Sequence, residues 1–195
     1  MTLKQIERAK KKIADIKKIL AAEKSKFGCY DDSRGLRYLP TKYFIQLNDY
    51  AGGQAYLKWF HKSFPDDVGF PEFLFDSSII LFKTGKIKEA ERKIFQTFCC
   101  NPYWLDKFFG KSITSIEMWH CSNLTRPEYT ETLEHSSIEP ELADFSSWLD
   151  TFISTRNFIN RSNKYIDIYK RLNIEKDKEM RHYLVEQAFQ LEQTF

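Results

Sequence analysis

Apolar residues recur at helical spacing along most of the chain, and this pattern limits the fold more than any other feature. The first set, spaced three or four positions apart on one side of a helix, is Ile6, Ala9, Ile13, Ile16 and Leu20. Similar spacing returns in residues 50–64, 86–99, 142–159 and 180–191. No stretch sustains the alternation of a strand, and the 7 glycines and 6 prolines are too few for the many tight turns of a β fold. The sequence therefore predicts an all-α fold.

The limits of these stretches predict one all-helical domain over residues 1–195. Its predicted parts are a basic amphipathic helix (1–27), two repeat-like hairpins (36–110) and a helical C-terminal part (111–195). Pro65 and Pro102 are expected to end the second helix of each hairpin, because proline cannot donate a backbone hydrogen bond. In the C-terminal part, residues 112–120 are predicted to form a short helix and residues 122–139 an irregular acidic loop.

Two stretches 37 residues apart carry the same order of residue types. Each has a turn residue, a large apolar residue, a small residue, a large apolar residue and a proline. The aligned pairs are Asn48 with Gly85, Tyr50 with Ile87, Gly53 with Ala90, Leu57 with Ile94, Phe60 with Thr97, and Pro65 with Pro102. A small side chain lets two helix axes approach closely. The order is therefore typical of a helix that packs on the helix before it and then ends.

The repeated order resembles the tetratricopeptide repeat, a helix-turn-helix unit of about 34 residues that stacks into a solenoid. The family's turn glycine, acidic residue, small alanine and closing proline are matched by Gly85, Glu89, Ala90 and Pro102. The family's tryptophan and Leu-Gly pair are absent. The resemblance covers residues 36–102 and implies a short right-handed stack of helical hairpins with capping helices at both ends. Two ordinary amphipathic hairpins are the alternative.

The resemblance also implies a binding surface, because the first helix of each repeat lines the concave side of such a stack. The residues placed there are Tyr38, Lys42, Ile45, Phe75, Ile79 and Lys83. The helix over residues 71–84 has large apolar residues on two faces, so the second face is either covered by another helix or exposed as a binding patch. The expected function is that of a non-enzymatic protein- or peptide-binding module, an adaptor or inhibitor-type interaction protein, with Lys42 and Lys83 able to hold an acidic group of the partner.

Charge is distributed unevenly along the chain. Residues 1–26 hold nine basic and three acidic side chains, a net charge of +6, whereas residues 127–150 hold seven acidic side chains and no Lys or Arg. One interpretation is a nucleic-acid-associated helical protein that uses its basic N-terminal helix. The other is that the two blocks simply lie near each other in the fold. No stretch approaches the roughly 18 apolar residues of a membrane span, so no membrane partner is expected.

Two E-x-x-H pairs allow a second alternative, a metal-dependent helical-bundle enzyme, because di-iron bundles use such pairs. The pairs are Glu117 with His120 and Glu179 with His182. The apolar stripe of the last helix leaves Glu179 and His182 on a charged face, however. We therefore predict a protein without catalytic residues, metal ligands or cofactors.

The cysteines and the first residues bear on the cellular compartment. The four cysteines are Cys29, Cys99, Cys100 and Cys121, and no two of them have the CxxC spacing of a zinc ribbon. Charges recur through the first 20 residues, where a signal peptide needs an apolar run. We expect reduced thiols and a cytoplasmic localisation.

Overall fold

The computed structural model of the chain describes residues 1–30 and 32–195. In it 72% of residues are helical, and no described residue lies in a strand, which confirms the predicted all-α fold. The α-helices are α1 (Leu3–Phe27), α2 (Leu39–Gln46), α3 (Tyr50–Ser63), α4 (Pro71–Lys83), α5 (Ile87–Cys100), α6 (Trp104–Phe108), α7 (Ala143–Ile153), α8 (Arg156–Ile174) and α9 (Lys178–Gln193). Short 3-10 turns occupy Leu36–Tyr38, Asn123–Thr125, Pro127–Thr132 and Pro140–Leu142.

The chain divides into two compact units. Unit 1 comprises Met1–Gly69 and Phe75–Ala90, and unit 2 comprises Phe70–Leu74 and Glu91–Phe195. Two compact units are compatible with one domain or with two, so the single domain over residues 1–195 stays a prediction.

In unit 1, α1 buries one stripe of its surface and exposes the rest. The buried residues are Ala9, Ile13, Ile16 and Leu20, four of the five in the predicted stripe. Thr2 caps the start of α1 by accepting a hydrogen bond from the backbone of Gln5, and Gly28 ends the helix in a left-handed conformation with φ of 74°. Ile13 joins Phe44 and Tyr56 in one core cluster, which fixes α1 on α2 and α3.

A network of polar side chains ties the loop after α1 to the loop after α3. The Arg37 guanidinium donates through Nε to Asp67 at 2.6 Å and through a terminal nitrogen to the Tyr38 hydroxyl at 2.7 Å. Tyr38 in turn donates to Asp67 at 2.8 Å. The buried Asp32 carboxylate accepts from the backbone nitrogens of Leu36 and Arg37. We call these groups the Asp67 network, and it fixes the segment that leads into α2.

In unit 2, α8 and α9 form an antiparallel pair. Arg161, near the start of α8, donates to the carbonyl oxygens of Leu191 and Thr194 at the end of α9, at 2.9 and 3.0 Å. The buried residues that the two helices contribute include Ile168, Leu172, Leu184, Ala188 and Leu191. The pair is therefore held by an apolar seam and by a charge-assisted link at one end.

Rings fill much of the rest of unit 2. Phe195 stacks on Phe95 at 4.5 Å between centroids and contacts Phe152 at 5.7 Å.

The prediction of a short helix over residues 112–120 is wrong, since this segment is irregular. Its backbone nitrogens bond outward instead, that of Ile116 to the Tyr103 hydroxyl and that of Trp119 to the Tyr169 carbonyl oxygen.

Candidate functional site

The basic residues of α1 form the largest concentration of charge in unit 1. All nine are exposed, and we call them the lysine face: Lys4, Arg8, Lys10, Lys11, Lys12, Lys17, Lys18, Lys24 and Lys26. None of them forms an ion pair with a carboxylate of the described residues. Of the three acidic residues of α1, Glu23 pairs with Arg34 at 3.5 Å, outside the lysine face. The three acidic residues of α1 lower its net charge from +9 to +6, so the helix keeps a large positive charge.

Six of these lysines fall into two rows with a spacing of seven residues. The outer row, opposite the buried stripe, is Lys4, Lys11 and Lys18, and the flank row is Lys10, Lys17 and Lys24. Seven residues of an α-helix rise about 10.5 Å, so each row is a straight line of charges about 21 Å long. Because the apolar stripe of α1 is buried in the core, the helix cannot insert into a bilayer surface without leaving that core.

Aromatic rings from other elements lie beside the lysine face. The ammonium of Lys17 is 5.5 Å from the centre of the Phe44 ring, and that of Lys24 is 4.8 Å from the centre of the Tyr30 ring. On the other flank of α1, Lys12 lies 5.1 Å from the centre of the Tyr43 ring. Cation–π contacts at exposed sites contribute about 0.5–1 kcal/mol each and hold the lysine side chain in place.

Tyr30 belongs to a half-buried cluster of rings that also contains Trp59 and Phe64. It meets Trp59 of α3 edge to face, with 5.7 Å between the ring centres, and both residues are half-buried. Burial raises the pKa of Tyr30, but the hydrogen bond with Ser63 and the positive charge of Lys24 lower it, and the net pKa is below the ordinary value. The charge of Lys24, a member of the flank row, therefore acts on the Tyr30 ring.

The lysine face also dominates the charge of its unit. Unit 1 contains seventeen basic and ten acidic side chains, a net charge of +7, whereas unit 2 contains thirteen and seventeen, a net charge of −4. A field of this sign attracts anions and raises the rate at which they arrive.

Three of the residues that the repeat resemblance places on a concave surface are partly accessible. Tyr38, Lys42 and Lys83 are half-buried residues of unit 1. Tyr38 takes part in the Asp67 network, and burial, followed by the hydrogen bond with Asp67, raises its pKa above the usual value. The Lys83 ammonium lies 5.6 Å from the centre of the Tyr50 ring.

The other three residues of that predicted surface lie in the core. Phe75 and Ile79 are fully buried at 0% exposure, and Ile45 is 7% exposed. The apolar second face of α4 is thus covered in this structure. The predicted surface is reduced to Tyr38, Lys42 and Lys83, and its role in binding stays a prediction.

The residues considered for catalysis do not converge in the described part of the chain. Glu117, Glu179 and His182 are exposed, and the half-buried His120 lies with Nδ1 3.0 Å from the Thr125 carbonyl oxygen. Within residues 1–30 and 32–195, no group of three or more His, Cys, Asp or Glu side chains is arranged to hold a metal ion. In the same residues no helix combines the length and the apolar character needed to cross a membrane.

The thiols differ in burial. Cys29 and Cys121 are exposed, whereas Cys99 is buried and Cys100 half-buried. Burial, reinforced by the charge of Glu192, raises the pKa of Cys100 to about 12 and also raises that of Cys99. Neither of these two thiols is therefore a ready nucleophile at neutral pH.

Comparison with protein-family models, with curated proteins and with solved structures finds no match to this chain. The tetratricopeptide-like stack therefore stays a prediction.

The lysine face was visible in the sequence as a charge block, but its aromatic neighbours Tyr30 and Trp59 were not. No local pattern connects them to α1, because they approach it only through the packing of α3 and of the loop after α1.

Proposed function

We propose that the protein is a non-enzymatic binding protein whose lysine face binds a polyanionic partner. The observation that carries this proposal is the set of nine exposed cations on α1 without an ion pair to a described carboxylate. Like charges one turn apart on a helix repel each other and destabilise it by a few tenths of a kcal/mol per pair. A polyanion would relieve this repulsion and release its own counterions, and both effects favour binding.

The test is a charge reversal on the outer row, Lys4→Glu with Lys11→Glu and Lys18→Glu. Binding to fluorescent oligo(dT), to a DNA duplex and to poly-glutamate is measured by fluorescence anisotropy at several salt concentrations. Three exposed ion pairs at about 0.5–1 kcal/mol each predict a loss of at least about tenfold in affinity for the polyanion that the wild type binds.

A control variant reverses the same number of charges elsewhere in unit 1. Lys62, Lys86 and Lys88 are exposed and lie outside α1, so their change to Glu alters the net charge equally. The control should retain most of the affinity. Equal losses in the two variants would mean that only the overall charge matters, and the assignment to the lysine face would be rejected.

A protein or peptide partner at the predicted repeat surface is the second candidate function. It is favoured by the partial exposure of Tyr38, Lys42 and Lys83 in unit 1. Selection from a library of displayed peptides, carried out with the wild type and with the variant Lys42→Glu plus Lys83→Glu, tests this surface. Peptides that bind the wild type and not a folded variant would support it. Peptides that bind both would place the peptide site elsewhere.

A further inference from the structure

The lysine face combines positive charge with aromatic rings, which lie beside its flank row. Lys24 lies over Tyr30, and Tyr30 and Trp59 contact each other and Phe64, so a line of positive charge borders a cluster of half-buried aromatic rings. The sequence of α1 itself contains no aromatic residue until Phe27. Phosphates and bases could thus be bound side by side only because the fold brings α1, its following loop and α3 together.

We propose that the partner of the lysine face is a single-stranded nucleic acid, with its phosphates on the lysines and its bases stacked on Tyr30 and Trp59. This inference rests on the proposed function. Sequence-tolerant binding of single strands combines a basic track along the backbone with aromatic side chains on which bases stack. Both parts are present on one side of unit 1.

The shape of the face favours a single strand over a duplex. The lysine rows run straight along a rigid helix, whereas each backbone of a duplex winds around the duplex axis and leaves a straight line after a short contact. A flexible strand can follow the whole length of α1 and still expose its bases.

The composition of the face argues against a protein partner. The cores of protein–protein interfaces are poor in lysine and rich in aromatic residues, and their binding energy is concentrated in large buried anchors. Small residues stand between the lysines on the outer side of α1, namely Ala14, Ala21, Ala22 and Ser25. The exposed large apolar residues of α1 are Leu3, Ile19 and Phe27, and they lie too far apart along the helix to form one anchor.

The experiment compares oligo(dT) with a duplex and with poly-glutamate, and tests the rings by substitution. Wild type should bind oligo(dT) most tightly, and Trp59→Leu should weaken that binding about tenfold, as expected when one base loses its stacking partner. The same variant should bind the duplex as the wild type does. Trp59→Phe, which keeps a ring, should restore most of the affinity.

Tyr43→Leu is the matched control, because Tyr43 is also half-buried and also lies under a lysine, but on the other flank of α1. It should leave oligo(dT) binding unchanged. Since Trp59 also packs on Tyr56, a poorly folded Trp59→Leu is replaced by Tyr30→Leu as the ring variant. In addition, oligo(dT) should quench the fluorescence of wild type more than that of Trp59→Phe.

The outcomes separate this inference from the proposed function. The single-strand assignment would be overturned if wild type bound poly-glutamate or the duplex more tightly than oligo(dT), or if the ring variants bound oligo(dT) as tightly as wild type. Either result would still leave a polyanion site on the lysine face. Failure of the wild type to bind any of the three probes would overturn both.

Discussion

Replacing Gly53 of α3 by alanine should destabilise the protein, although the same change in an open helix would stabilise it. A Cβ atom at Gly53 would lie 2.9 Å from Cδ1 of Ile80 and 3.2 Å from both Cγ1 and Cγ2. Ile80 is fully buried at 0% exposure, and its branched side chain has few alternative rotamers. The added methyl group must therefore shift the Ile80 side chain within the packed core or move α3 away from α4.

Two opposing terms set the expected magnitude. Alanine improves helix propensity over glycine by about 1 kcal/mol, whereas overpacking a well-packed core costs about 1–3 kcal/mol. Gly53→Ala should thus lose about 1 kcal/mol of unfolding free energy. Gly53→Val adds two more methyl groups and forfeits most of the propensity gain, so it should lose about 3 kcal/mol.

Thermal melts followed by circular dichroism, together with urea unfolding, measure these losses. For a chain of this size each kcal/mol corresponds to roughly 2–4 °C in melting temperature. Ala55→Gly, at an exposed position of the same helix, calibrates the propensity term and should lower stability by about 1 kcal/mol. If Gly53→Ala raises the melting temperature by as much as Ala55→Gly lowers it, α3 and α4 do not approach as closely as described.

Three further predictions address the loops, the thiols and a buried carboxyl. Asp67→Asn should cost about 2 kcal/mol in urea unfolding, because it removes the charged acceptor of the Asp67 network, whereas the neighbouring exposed Asp66→Asn should cost almost nothing. Iodoacetamide should modify the exposed Cys121 quickly, and it should modify Cys100 slowly because burial raises the pKa of that thiol to about 12. Equal modification rates of the two cysteines, measured by mass spectrometry, would refute the burial of Cys100. Burial also raises the pKa of Glu192 above its ordinary value of 4.5, so the protein loses stability as pH rises from 4.5 through the pKa of the folded state. Glu192→Gln should raise the melting temperature at neutral pH and flatten that loss. An unchanged dependence of the melting temperature on pH would contradict the burial of Glu192.

The sequence by itself determined the class of the fold, the position of most helices and the exposure of the lysine face. Residues three and four positions apart lie on the same face of a helix. Apolar residues at this spacing in the sequence therefore predict which face of the helix is buried. For α1 that stripe predicts the buried Ile13 and Leu20 and, by exclusion, the exposed lysines. Proline and glycine positions gave the ends of α3, α4 and α5 for the same local reason.

Only the tertiary structure decided which further surfaces are covered and which residues become neighbours. Periodicity showed that α4 has apolar residues on two faces, but whether Phe75 and Ile79 would meet a partner or the protein's own core depends on contacts between residues far apart in the chain. The structure buries both. It likewise places Tyr30 and Trp59 beside the lysines of α1, since ring contacts between separate elements follow from the packing of whole helices and not from the order of residues within one of them.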